Sequence, residues 1–271
     1  SPIGDITTIM LWIGKQITAG SIITNIFIPS LVCALVPLIY LSFKLKGEIE
    51  RPMIQETREH YLDPTSSFER NLIFYMGVCG LLFVPIFKTI THLPPYLGMM
   101  LSLGVLWLTT EIIHRSKNYE QRKELSVIGV LKKVDVPTIF FFLGILLAVA
   151  SLQSAGHLDI VAKYLDRTFD GNIYAINIII GLLSSIVDNV PLVAGAMGMY
   201  EIQSIGDYAV DGKFWQFLAY CAGTGGSVLI IGSAAGVAVM GILKVDFIWY
   251  MKKISLLALI GYLAGAATYY L

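Results

Sequence analysis

A single aspartate in the middle of an apolar run is the most chemically pointed feature of this sequence. Ser184-Ser185-Ile186-Val187-Asp188-Asn189-Val190-Pro191 lies midway along a stretch, residues 172–200, that is otherwise almost wholly hydrophobic. In hydrocarbon an ionisable side chain is costly and needs a compensating role. A carboxylate beside an amide offers hard oxygen ligands to a small cation, and a carboxyl group out of water resists ionisation unless a cation compensates. Asp188 and Asn189 are therefore candidates for a midplane cation or proton site, with Ser184 and Ser185 as supporting oxygens and Pro191 marking the break. A structural alternative stays open: Asp188 or Asn189 would equally suit the cap of a helix whose first turn holds Pro191.

A second cluster supplies more oxygen. Gly223-Thr224-Gly225-Gly226-Ser227, then Ile231-Gly232-Ser233-Ala234-Ala235-Gly236, holds more glycine than a continuous membrane helix uses. It reads as an unwound break within residues 214–243. Its free carbonyls and the Thr224, Ser227 and Ser233 hydroxyls can line a cavity and coordinate a cation. The Gly232–Gly236 spacing also fits small-residue packing between helices. The start of the chain repeats the feature weakly. Ile3-Gly4-Asp5 before an apolar helix parallels Ile231-Gly232-Ser233 before another, and Asp and Ser are both good N-caps. Asp5 is the second candidate carboxylate.

These residues need a scaffold, and the composition says which kind. Of 271 residues, 56% are hydrophobic and 14% charged, against roughly 45–50% and 25% in soluble domains. The chain reads as an all-α polytopic membrane protein. Nineteen Lys and Arg balance nineteen Asp and Glu, so no electrostatic footprint for nucleic acid is present. Cys33, Cys79 and Cys221 sit in apolar runs without CxxC spacing, and the four histidines form no metal-binding pair. There is no nucleophile–base pair or phosphate loop either, so no enzyme is expected.

Apolar runs long enough to span a bilayer cover residues 21–43, 71–91, 94–114, 134–153 and 254–271. Residues 6–17 reach only about 18 Å as a helix. This half-length helix leads us to expect a missing amino-terminal half, with the chain as the carboxyl-terminal portion of a longer protein. Three segments are expected: residues 1–20 ending a first-repeat broken helix, 21–70 a connecting helix and loop, and 71–271 a transport unit. Residues 44–70 carry five Lys and Arg and residues 115–133 carry six, which places both on the cytoplasmic side. An interfacial amphipathic helix or a plain connector would fit 115–133. If residues 172–200 dip in and return as a re-entrant hairpin, the acidic loop 201–213 is external and the Lys-rich loop 244–253 cytoplasmic. Both then agree with the charge bias. Trp107, Trp215 and Trp249 look like interface anchors.

The motifs at 184–194, 223–227 and 230–236, with the opening Ser1-Pro2-Ile3-Gly4-Asp5, closely resemble NhaD-type sodium/proton antiporters of the ion transporter superfamily, which also contains dicarboxylate, citrate and arsenite carriers. The resemblance covers the whole chain. It implies two inverted repeats, each with a re-entrant hairpin and a discontinuous helix meeting at the midplane, of which this chain supplies the second and the tail of the first. It implies exchange of sodium, or lithium, for protons, with Asp188 as shared carrier and Asp5 as second carboxylate. The alternative is a sodium- or proton-coupled dicarboxylate carrier. No cofactor is expected beyond the transported ions. Expected partners are the lipid bilayer, the amino-terminal half and a second copy in a homodimer; the expected location is a cell membrane, the bacterial inner membrane.

Overall fold

The computed structural model describes residues 5–44, 65–118, 121, 125–132, 136–233, 236, 239–240 and 243–271. Their regular structure is helical, and they divide into two compact units, residues 1–46 with 139–271, and residues 47–138.

In the 47–138 unit, α3 (Ser67–Thr91) starts at a capping box. Ser66 Oγ accepts from the Glu69 amide at 3.2 Å and the Glu69 carboxylate from the Ser66 amide at 3.0 Å, which satisfies two of the free donors of a helix start. α3 ends at His92, whose left-handed backbone turns the chain into α4 (Pro95–Ile113). Ser102 donates to the Gly80 carbonyl, and Lys117, just past α4, pairs with Glu69 at 2.5 Å. The two helices therefore lie antiparallel. A five-residue helix, α5 (Val127–Leu131), follows, capped by Ser126.

The other unit holds α1 (Ile6–Ile13), α2 (Ala19–Lys44), most of α6 (Val136–Ser154), α7 (His157–Thr168), α8 (Ile173–Leu183), α9 (Asn189–Met199), α10 (Lys213–Gly225), α11 (Phe247–Lys253) and α12 (Ser255–Tyr270). Among the described residues three helices are long and apolar enough to cross a membrane, Ala19–Lys44, Ser67–Thr91 and Pro95–Ser116; α11 and α12, bent by 56°, make up to a fourth. The chain is a multi-pass membrane protein.

The core forms around α10, which is apolar on every side and therefore enclosed. Phe214, Trp215, Phe217, Leu218 and Tyr220 are all fully buried in it. Trp215 is thus a core residue rather than an interface anchor, its indole donating to the Tyr208 carbonyl at 2.9 Å. On one side α12 crosses α2 closely, because Gly261 and Gly265 leave room for the Cys33 and Pro29 carbonyls. On another, Tyr262 of α12 donates to the Ile178 carbonyl of α8.

α8 and α9 fold back on each other. Asn177, near the start of α8, donates to the Phe214 carbonyl at 3.2 Å. Tyr200, at the end of α9, sets its ring 4.7 Å from that of Phe214, tilted by 59°. Both ends of the pair therefore meet the first turn of α10, while the turn between them lies at the other end. α7 rests Leu158 and Ala162 in the interior, and its Asp166 accepts from the Tyr200 hydroxyl. It exposes Asp159, Lys163 and Arg167, an amphipathic division that the sequence reading weighed instead near 115–133. The short link from α1 to α2 is held by the 201–212 loop: Asp211 accepts from the Thr18 amide at 2.6 Å and hydroxyl at 2.9 Å, and donates its own amide to Gln16.

Candidate cation site

Two limbs of eleven residues each flank the Asp188 break. Asn172 opens α8 by accepting from the Tyr174 and Ala175 amides. The helix closes through Ser184, Ser185, Ile186 and Val187, whose amides bond back to Ile180, Leu182 and Leu183. At Asp188 the backbone becomes extended, and α9 begins at Asn189, with Pro191 in its first turn, where a missing N–H costs no helical bond.

Asp188 occupies the cap position yet makes no capping bond. Its Oδ1 is shielded from solvent and has no hydrogen-bond partner among the described residues. Capping therefore does not account for the carboxylate, and a buried acceptor without a donor calls for a proton, a cation or water.

Asp5 is arranged differently. Its Oδ2 accepts from the Thr8 amide at 2.9 Å and from the Thr7 hydroxyl. The same oxygen lies 3.6 Å from the point a Cβ on Gly223 would occupy. The start of α1 thus faces the end of α10, with room at residue 223 for an ordinary van der Waals contact.

Glycines bring the two breaks together throughout. A Cβ at Gly225 would strike the Gly181 carbonyl, and one at Gly232 the Ser184 carbonyl; one at Gly226 would lie 2.8 Å from the Gly232 carbonyl. Ser184 donates to the Ala222 carbonyl at 3.1 Å, Ser185 to Leu182, Thr224 to Tyr220 and Ser227 to Thr224. Each hydroxyl donates its proton to a carbonyl, which leaves oxygen lone pairs for a cation. After α10 come a 3-10 turn, Gly226–Val228, and a tight turn at Ile230, whose φ of 60° is strained for a β-branched residue. Ser233 then accepts from the Gly236 amide at 3.0 Å, the same three-residue relation that Asp5 has with Thr8.

The structure therefore assembles Asp5, Ser184, Ser185, Thr224, Gly225, Gly226, Gly232 and Ser233 in one neighbourhood. Asp188 and Asn189 follow at the hairpin turn, and no hydrogen bond joins Asp188 to Asp5 among the described residues. Residues 1–4, 234–235, 237–238 and 241–242, including the Ile3-Gly4 half of the first break, lie outside those described. One member of the region, Thr7, went unread in the sequence, where it was legible only as a hydroxyl beside an acid; Gly223 was read there as part of the break. At the opposite end of α10, Asn177 is fully buried and its Oδ1 has no partner among the described residues; its sole signal was an amide within an isoleucine run. At the far end of the hairpin, burial reinforced by Asp166 and Asp207 pushes the Tyr208 hydroxyl up to about 12, so it stays neutral there.

Short apolar limbs broken at glycine and acid lie within a multi-pass membrane protein that has bilayer-length helices. Comparison with known proteins gives the family. The family model described as Citrate transporter matches residues 1–211, and the chain belongs to that family, as an NhaD-type member. It is 46% identical over 269 residues to "Sodium/proton antiporter 1" of Arabidopsis thaliana, covering 99% of this chain and 45% of the relative. It is 31% identical to "Na(+)/H(+) antiporter NhaD" of Halomonas elongata, covering 99% and 55%, and 30% identical to that of Vibrio cholerae, covering 98% and 57%. The chain spans about half the length of the curated relatives it matches. No solved structure matches it.

Proposed function

We propose that the whole protein exchanges sodium, or lithium, for protons across a cell membrane by alternating access at a midplane carboxylate site. The observation that carries this reading is the shielded, unpartnered Asp188 Oδ1 at the turn between two limbs each too short to span. Cation and proton compete for that oxygen, and exposing it to one side at a time turns competition into exchange. Asp5, already holding two donors, supplies the second carboxylate. Asn189 and the Ser184, Ser185, Thr224, Ser227 and Ser233 oxygens supply neutral ligands. The relatives' names, sodium/proton antiporter and Na(+)/H(+) antiporter, support the same exchange.

The finer architecture belongs to this proposal. The return of α8 and α9 to Phe214 supports a re-entrant hairpin. The matching N-caps at Asp5 and Ser233 support two discontinuous helices of an inverted repeat, the first completed by an amino-terminal half. A lipid bilayer and a homodimer complete the proposed partners; the bacterial inner membrane is the proposed location, and no resident cofactor is invoked.

The family model's description, Citrate transporter, keeps an anion carrier as the second reading. Two carboxylates lining the region disfavour it, since an anionic substrate would be repelled. Inside-out vesicles carrying the full-length protein and an acid-interior gradient test the choice. Sodium or lithium chloride should collapse the gradient, and potassium chloride or a choline dicarboxylate should not. A response to the dicarboxylate alone would overturn the antiport reading.

A further inference from the structure

The turn that follows α10 is short of bonds that would fix it in place. Past Gly225 the chain runs through the 3-10 turn Gly226–Val228 and the left-handed Ile230. Carbonyls beyond a helix end need partners from elsewhere. The Thr224 carbonyl takes the Gly226 amide and the Ser227 hydroxyl, and the Leu229 carbonyl takes the Ile231 amide. All of these bonds are local. A β-branched residue in the left-handed region persists only where its surroundings hold it.

One hydrogen bond reaches residues 226–231 from another helix, among the described residues. The Tyr250 hydroxyl donates to the Ser227 carbonyl at 2.7 Å, across 23 residues of sequence. Tyr250 belongs to α11, which is fixed by contacts of its own. Asp246 caps it by accepting from the Trp249 amide at 3.0 Å, and the Ile254 amide returns to the Tyr250 carbonyl. A 56° bend then leads into α12, packed against α2 through Gly261 and Gly265. The phenol therefore ties the break to a helix that is held elsewhere.

What the turn carries gives this tie its importance. Gly226 lies against Gly232 and Ser233, so the spacing between the Thr224 and Ser233 oxygens follows the position of the turn. Which cation a set of oxygens prefers depends on the size of the cavity and on how freely it deforms. Oxygens held at one spacing cannot contract onto lithium, the smaller ion, and so favour sodium.

We propose that Tyr250 is a positioning residue for the cation site: through the Ser227 carbonyl it pins the turn after α10 and so sets a preference for sodium over lithium. The inference rests on the antiport reading above and deepens it.

Sodium- and lithium-driven proton release by the full-length protein in inside-out vesicles tests it. Tyr250→Phe keeps the ring and removes only the hydroxyl. The sodium concentration for half-maximal exchange should rise about threefold or more while the lithium value does not rise, with maximal rates within about twofold of the parent. Tyr250→para-aminophenylalanine, which restores a donor, should bring the parent ratio back. A hydroxyl with a merely structural role would lower the melting temperature and depress both exchanges alike. That result, or a variant that keeps the parent ratio, overturns the inference alone; a parent that exchanges neither cation overturns the antiport reading and this inference with it. If Tyr250→Phe does not fold, hydrogen exchange in the parent decides. A turn pinned by the phenol is ordered before the ion arrives, so exchange of the peptide covering residues 226–231 should slow by less than about twofold on adding sodium. Any greater slowing would show that the ion orders the turn, and overturns the inference.

Discussion

Asp5 and Asp188 are the same side chain at the same kind of place, the cap position of a helix that starts inside the apolar region, and they are treated in opposite ways. Asp5 is held by the Thr8 amide and the Thr7 hydroxyl, so its negative charge has donors without any cation. Asp188 declines the cap bond and keeps one oxygen shielded and unmet. A satisfied carboxylate is a fixed feature of a site; an unsatisfied one is the part that exchanges its partner. On the proposed antiport, Asp188 is the group that alternates between proton and sodium, and Asp5 sets how tightly sodium is held.

The largest effect should follow from Asp188→Asn in the full-length protein. Sodium-driven proton release in vesicles should fall at least about a hundredfold, with normal amounts of folded protein in the membrane, since removing the exchanging group removes the step. Asp5→Asn should act differently. Asparagine caps a helix as well as aspartate, so folding should be kept while the sodium concentration for half-maximal exchange rises about tenfold, the signature of lost binding rather than a lost step. If the two variants gave the same kinetic defect, the division of roles between the carboxylates would be wrong. Gly225→Ala probes what brings the breaks together: a methyl on the Gly181 carbonyl should cost about 1–3 kcal/mol as overpacking, seen as a lower melting temperature in detergent. Gly20→Ala, with nothing near the added methyl, is its neutral control. Ser233→Ala should cost about 1 kcal/mol or less through its lost cap, the smallest effect; no change at all would weaken the parallel with Asp5.

Length and hydropathy made the spanning helices legible, because lipid imposes one dimension on every run: residues 71–91 and 94–114 appear as Ser67–Thr91 and Pro95–Ser116. The hairpin break was legible for a similar reason, an acid and a proline in an otherwise unbroken run. Trp215 was misread because an aromatic near a helix end looks alike whether it faces headgroups or a neighbouring helix. The amphipathic helix at His157–Thr168 was missed because its buried stripe, Leu158 and Ala162, is only two residues wide. The approach of Asp5 to Gly223 depends on distant segments meeting, and the order of residues carries no trace of such meetings. The loop that ties Asp211 to Thr18 was invisible for the same reason.

That last tie has a consequence in time. Thr18 and Asp211 are 193 residues apart, and at about 5–20 residues per second a ribosome needs roughly 10–40 s to make the chain between them. Through that interval the link from α1 to α2 has no Asp211 to close it, while the long apolar α2 is already made and ready to insert. α2 is therefore made, long enough to span, well before this tie can fix its angle to α1, and the short first helix waits for the last third of the chain to close the link.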